Sequence, residues 1–476
     1  MYQAITIIIS ALSIILCLLL FKKRSKESFS LLLKILVVIY CAVGLFRCFL
    51  ADSFIYVING GFFEEVKYET SDYLQTVLRW GYFVNYAVLP MAIFFESRLF
   101  KNLASYFCLP FTLLTVAFFD NFTAYFLVDT FHGIDLVPWL RTAFFVFELV
   151  LATVIPVSMQ IKEKHVFDIK DKGEWLRFLL AIPCVLIALM PVYVPQSLFG
   201  YNYTQPKPFT AWHWIWLGGT VVAIMALYYI FRFKNKEQRY MLCVFLALAL
   251  FYQYHTMYLM GITLERMPFQ LCNAAVYMLL FAIIFKKEKF FHFCFIVNIV
   301  GTMIAMFLTN ISTGVSSFWS THYLYQHSLI LAVPALTMGL RIFERVSKKS
   351  LLYAWIGFTV YFLIVFVVGT VLNGYSDETG VRVNYFYMFD LQKAFEYAPF
   401  ATFTKYVHYT FGRFEIYPLL AALVYLAYCA LCFVFYLVVK ILYKIEDDHL
   451  ELRLSSIDLY EKITGKKSKR PRQFID

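Results

Sequence analysis

A chain of 476 residues that is 61% hydrophobic and only 15% charged, with a mean hydropathy of +0.68, has too much apolar surface for a water-soluble core, so its solvent must be lipid. The net charge of +11 does not point to nucleic acid, because no basic face is interleaved with stacking aromatics. No series of alternating ten-residue strands is visible, which excludes a spanning β-barrel.

The apolar residues fall in blocks of about 18–25, the length that carries a helix across a hydrocarbon core of about 30 Å. They predict an all-α, polytopic transmembrane helical bundle of about thirteen spans, at 3–20, 29–49, 78–95, 104–126, 138–160, 176–195, 213–232, 239–259, 268–285, 291–309, 323–342, 351–372 and 417–440. The first block has no basic residues before it and no A-x-A-like cleavage site, so it reads as a span and not as a signal peptide. Lys22-Lys23-Arg24, Arg98 with Lys101, Lys162 to Lys172, Lys234 to Arg239, Lys286-Lys287-Lys289 and Arg341 to Lys349 occupy alternate loops. Acidic or uncharged loops lie between them, such as 50–77 and 120–137. The positive-inside rule then places the N-terminus outside the cell membrane and the basic tail, Lys462 to Arg472, in the cytoplasm.

The chain also echoes itself. Phe21 to Glu27 is matched by Phe233 to Glu237, Arg79 to Asn85 by Arg266 to Cys272, and Leu99 through Asn121 by Lys289 through Asn310. Phe199-Gly200-Tyr201 is similarly matched by Asn373-Gly374-Tyr375. The pattern is a parallel repeat of six helices, six helices and one extra. It divides the chain into an N-terminal membrane unit, 1–205, a C-terminal membrane unit, 206–445, and a basic tail, 446–476. Cys272 stands where the first half has Asn85, and His327 has no counterpart in span five.

Arg266-Met267-Pro268-Phe269-Gln270-Leu271-Cys272-Asn273 puts a polar cluster at the outer end of span nine. Pro268 suits a first helical turn. Cys272 would follow one turn later, near the electropositive helix end that favours a thiolate. His327 enters span eleven at a similar depth, so the two could form a nucleophile–base pair. The bland alternative is a packing cysteine and a histidine that hydrogen-bonds across helices. His322 is the nearest substitute for His327, while Asn273 and Asn310 share the layer. Arg266 could clamp a lipid phosphate or simply pair with Glu265. Glu148, in mid-span, is expected to pair with a polar group such as Thr153 or to stay protonated.

The ten cysteines are scattered and suggest no disulfide framework. The CxxC of Cys429 and Cys432 lies in an apolar helix and reads as packing. There is no phosphate-cradling glycine loop and no HExxH, so neither a metal nor a cofactor is implied.

At these residues the chain resembles the YwaF family of integral membrane proteins, to which the animal transmembrane protein 164 is related. The Leu-Pro-Leu-x-Leu-Cys helix of that family is similar to Met267 through Cys272, and its histidine helix to Gln326-His327-Ser328. An Asn followed by Asn-Tyr-x-Tyr appears here as Asn373 and Asn384-Tyr385-Phe386-Tyr387. The similarity covers roughly 210–440. It implies acyl transfer on membrane lipids, with Cys272 as nucleophile and His327 as base. Arg266, Asn273, His322, Asn310, Asn384 and Tyr385 would contact the substrate. Phospholipids or lysolipids would then be the partners, taken from the outer leaflet. The composition also allows a carrier built from two six-helix repeats, or a scaffold without catalysis. The aromatic outer segment 374–416 could cap the site or serve as a docking surface, and oligomeric state is left open.

Overall fold

The computed structural model describes residues 1–23, 25–49, 73–95, 97–126, 138–163, 167–190, 194–195, 207–255, 267–309, 311, 314–380, 382–389, 399–464 and 474. These form two compact units. One holds Met1–Gln205 together with Phe251–Ile262 and Thr313–Tyr323, and the other holds Pro206–Leu250, Thr263–Ser312 and Leu324–Asp476.

The first unit is built from α1 (Tyr2–Lys23), α2 (Lys26–Phe49), α3 (Tyr73–Phe94), α4 (Arg98–Ala117), α5 (Phe119–Phe126), α6 (Pro138–Glu163) and α7 (Lys172–Ala188). The less apolar helices α3 and α6 are mostly buried, while the strongly apolar α1 is mostly exposed. Lipid offers no hydrogen bonds, so polar side chains must find partners inside the protein. Glu148 of α6 does so through Tyr86, whose hydroxyl donates to Oε1 at 2.5 Å. Thr153, its expected partner, instead donates to Leu149 O on its own helix at 2.8 Å. The Tyr86 ring is stacked between Tyr40 and Tyr252, at 5.1 and 5.0 Å. Asn85 Nδ2 donates to Thr112 Oγ1 at 2.9 Å, which ties α3 to α4.

At the start of α7, Glu174 is buried. It accepts from Asn102 Nδ2 at 2.7 Å and from the Asp168 amide at 2.9 Å, and pairs with Arg98 Nε at 2.5 Å. Burial alone pushes its pKa up, but Asn102, the Asp168 amide and Arg98 outweigh that and hold it below the usual carboxylate range. A lowered folded-state pKa means the stabilisation is complete above the unfolded value, about 4.3, and is lost as pH falls through the folded value. Glu174→Gln should therefore melt earlier than wild type at neutral pH. The two melting curves should converge once the pH has fallen below the folded-state value; a gap that stays constant with pH would rule out the carboxylate as the cause.

The second unit contains α8 (Ala211–Phe231), most of α9 (Lys236–His255), α10 (Leu271–Ile284), α11 (Glu288–Phe307), most of α12 (Phe318–Gly339), α13 (Lys348–Gly374) and α14 (Pro418–Thr464). Ser347 opens α13 with a reciprocal cap: its hydroxyl accepts from the Ser350 amide, and Ser350 accepts from its amide. A hairpin pairs Tyr409–Phe411 with Phe414–Ile416, and Gly412 supplies the left-handed residue of its turn at φ +58°. With 47 residues, α14 is about 70 Å long. That is more than twice a hydrocarbon core of about 30 Å, so its charged end lies outside the apolar layer. There Arg345 Nη2 meets Glu446 Oε2 at 2.8 Å, Arg341 pairs with Asp447, and the Arg345 guanidinium covers the Tyr443 ring at 3.9 Å.

One helix in each unit has the same irregularity. In α4 a π-helical turn, Ala104–Cys108, interrupts the α-helix, and in α11 it is Cys294–Asn298. Each is preceded by six α-helical residues and followed by nine. The helices then end on Phe118 (φ −105°, ψ 40°) and Leu308 (φ −104°, ψ 53°). A π-bulge widens a helix by one residue and is often found at functional sites.

Among the described residues, nine helices are long and apolar enough to cross a membrane. The expected count of about thirteen is larger because four further helices fall short of that measure. α7 and α10 are brief, and α9 and α12 carry polar residues along their length. The expected span 104–126 is displaced: the spanning helix is Arg98–Ala117, and α5 follows separately.

Candidate functional site around Cys272

The site is assembled at the start of α10. The chain turns at Met267 to Phe269, where the Phe269 amide donates to Met267 O at 2.7 Å. Gln270 is then extended (φ −71°, ψ 139°) and caps the helix without a side-chain hydrogen bond. Pro268 thus lies in the turn before the helix and not in its first turn, as the sequence suggested. Cys272 is consequently inside the first turn, not one turn further on. The thiol is therefore closer to the amides at the helix end than a position one turn further on would be.

Cys272 is half-buried, and its thiol donates to Asn273 Oδ1 at 3.6 Å. Asn273 is buried, and its Nδ2 donates to Met267 O at 3.4 Å, bracing the turn. The bond from α12 is made by Gln326, whose Nε2 donates to Asn273 Oδ1 at 3.0 Å and to Cys272 O at 3.2 Å. Two residues on, Ser328 receives Trp216 Nε1 at 2.9 Å and shares a hydrogen bond of 2.9 Å with Thr220, both from α8. His327 lies between these two anchors and is 4% exposed. Successive helical residues point about 100° apart, so Gln326 and Ser328 together fix the direction His327 takes.

A second support comes from the segment after α13. Asn373 Nδ2 donates to Val383 O at 2.9 Å, and its Oδ1 accepts from the Val383 amide at 2.8 Å. That reciprocal pair presents Asn384, whose carbonyl accepts from Gln270 Nε2 at 3.4 Å and whose Oδ1 accepts from the Phe389 amide at 3.2 Å. Tyr385 is fully buried, with its ring 5.8 Å from Phe269. The next two residues, Phe386 and Tyr387, take left-handed backbone at φ 55° and 58°, an uncommon choice for bulky side chains. From α13, Tyr361 donates to Phe269 O at 2.8 Å.

The structure therefore brings Cys272, Asn273, Asn384 and Tyr385 into one connected network. Arg266 and Asn310 lie outside the described residues. His322 stands in the first unit, buried, with its ring 6.2 Å from Tyr254 and 6.4 Å from Trp319. Sequence reading missed Gln326, Gln270 and Tyr361. Gln326 had a visible signal, a buried-type amide beside the singled-out histidine, whereas Tyr361 was one tyrosine among 35. Among the described residues, no group of three or more His, Cys, Asp or Glu could hold a metal ion.

A thiol in the first turn of a helix, beside a carbonyl-type acceptor and backed by a rigid polar frame, has the elements of a nucleophile site. The molecule as a whole is an α-helical integral membrane protein. The family model of the TMEM164 family matches residues 208–436, the part that carries Cys272, His327, Asn373 and Asn384, and it supports a relation to that family. No curated protein and no solved structure matches the chain.

Proposed function

We propose that the chain is a membrane-embedded lipid acyltransferase or transacylase, with Cys272 as nucleophile and His327 as base near the outer leaflet. The observation that carries this reading is the half-buried Cys272 thiol in the first turn of α10, framed by Asn273, Gln326 and the Asn384 segment. In the reaction, Sγ bonds to the carbonyl carbon of a lipid ester and its proton passes to His327. The ester C–O bond breaks, and the departing lysolipid oxygen takes the proton from His327. A second lysolipid hydroxyl then gives its proton to His327 and displaces the thioester, which restores the thiol. Arg266 and Asn310 would contact the headgroup, and Asn384 and Tyr385 would shape the wall beside Phe269. An outer-leaflet site favours a phospholipid donor over a cytosolic thioester.

The two bulged helices, with equal segments on either side of the π turn and matching ends, support the parallel repeat. In that alignment Asn85, bonded to Thr112, stands where the second half has Cys272. The first half is then a scaffold without the nucleophile. The same duplication favours the second reading, a carrier of two six-helix repeats.

Labelling in native membranes with an acyl-ester probe separates the two. Cys272 should be modified well above Cys294, which is fully buried, and His327→Ala should remove the excess. Labelling of Cys272 no stronger than that of Cys294, or indifferent to His327→Ala, would leave the carrier as the better account.

A further inference from the structure

Helix α11 packs on α10 directly behind the Cys272 turn. Their contact is close at Gly301: a Cβ placed there would lie 2.9 Å from Leu271 Cδ2 and 2.5 Å from the Tyr428 hydroxyl. Tyr428 donates to Val297 O in the π turn at 2.8 Å and is within electrostatic range of Cys272. Two polar residues flank Gly301 on this helix. Asn298 is 1% exposed and Thr302 is 2% exposed. Neither polar atom of the Asn298 amide, nor the Thr302 hydroxyl, has a hydrogen-bond partner among the described residues.

Leaving an amide and a hydroxyl unpaired in a membrane protein interior is costly, and an acceptor group of a bound ligand would relieve that cost. The first unit supplies the contrast. Thr112 follows the end of its π turn at the same interval as Thr302 follows Asn298, and it is bonded by Asn85. In the repeat alignment Cys272 replaces Asn85, and a thiol in that place does not supply the amide's strong N–H donor. Asn273, the obvious alternative donor, already commits one of its two Nδ2 hydrogens to Met267 O.

We infer that Asn298 and Thr302 bind the acyl carbonyl of the lipid ester at the Cys272 site. This rests on the acyl-transfer reading above. When Sγ bonds to the carbonyl carbon and its proton goes to His327, the carbonyl π pair moves onto oxygen. Asn298 Nδ2 and the Thr302 hydroxyl donate to that oxygen. Collapse returns the pair, breaks the ester C–O bond and sends the proton from His327 to the departing oxygen. The donors are worth more to the developing oxyanion than to the ground-state carbonyl, which is what accelerates the step.

The test uses the full chain in detergent micelles with p-nitrophenyl decanoate, whose release of nitrophenolate reports acylation of Cys272 without any particular headgroup. Asn298→Leu, Thr302→Val and Cys272→Ala are compared for acylation rate and melting temperature. Asn298→Leu should slow acylation by about 100-fold, as loss of one oxyanion donor does elsewhere. Its melting temperature should be unchanged or higher, because an unpaired buried amide has become apolar. Thr302→Val should slow acylation with its melting temperature equally preserved. Wild-type acylation in both variants, with Cys272→Ala inactive, would overturn the inference and leave the acyl-transfer reading standing. A clear fall in melting temperature in both would also overturn it, since the groups would then have structural partners. Nitrophenolate release by Cys272→Ala at the wild-type rate would remove the acyl-transfer reading itself.

Discussion

Cys272→Ala is expected to bring acyl transfer between phospholipid and lysolipid in reconstituted vesicles down to the lipid-only background. The substitution deletes one sulfur from a half-buried position and one weak hydrogen bond to Asn273. Trimming a group of that size costs about 1 kcal/mol, too little to unfold a protein of this size, so lost turnover would not be lost fold. The backbone carbonyl that receives Gln326 remains, and with it the α10–α12 contact. His327→Ala should retain some activity, about 10²–10⁴-fold below wild type, because a base accelerates proton transfer without being the bond-forming atom. Gln326→Leu offers a third comparison. It leaves Asn273 Oδ1 and Cys272 O without their α12 donor, so activity should fall with the nucleophile and base both present. The decisive assay is fluorescent acyl-chain transfer alongside a melting curve. Wild-type transfer by a folded Cys272→Ala protein would end the acyltransferase reading.

Asn373→Ala should have the largest structural effect of any single polar substitution near the site. Its side chain satisfies both backbone groups of Val383, which is 1% exposed. Each buried group left unpaired costs about 1–3 kcal/mol, so the pair predicts a loss of about 2–6 kcal/mol. The loss should be local first. The segment 382–389 would loosen, and Gln270, which caps α10, would lose the Asn384 carbonyl. Hydrogen exchange in micelles should therefore rise across 382–389 before it rises in α13. Asn373→Asp keeps the acceptor for the Val383 amide but removes the donor to its carbonyl, and should fall between alanine and wild type. Unchanged exchange in this segment would show that the clasp does not hold it.

Membrane residence and helical class were readable in the linear chain, because lipid imposes them one segment at a time. A block as long and apolar as Tyr2–Lys23 or Lys348–Gly374 is fit to cross as a helix whatever its neighbours do. Cys272 could also be singled out in the linear chain as part of a polar cluster at the end of an apolar block, and Asn384 through its resemblance to the Asn-Tyr-x-Tyr pattern. The resemblance between segments such as Leu99–Asn121 and Lys289–Asn310 is a feature of the linear chain, but the π turns that α4 and α11 both carry are not legible there. A bulge depends on which carbonyls and amides find partners across the bundle, and hydropathy carries no record of that. Similarly, the start of α10 could not be placed to the residue from Pro268, because a proline is equally at home in a turn before a helix and in its first turn.

The partnerships were decided by tertiary structure alone. Glu148 could have turned to Thr153 on its own helix, yet it meets Tyr86 from α3. Asn85 and Asn298 are both buried asparagines on membrane helices, yet the Nδ2 of Asn85 has a partner and that of Asn298 has none among the described residues. A hydrogen bond needs two groups within about 3 Å and in line, and residues tens or hundreds of positions apart meet that condition only once the helices have packed. Hydropathy along the chain dictates which segments suit the membrane and which polar residues lie within them. Packing dictates which of those residues satisfy one another and which do not.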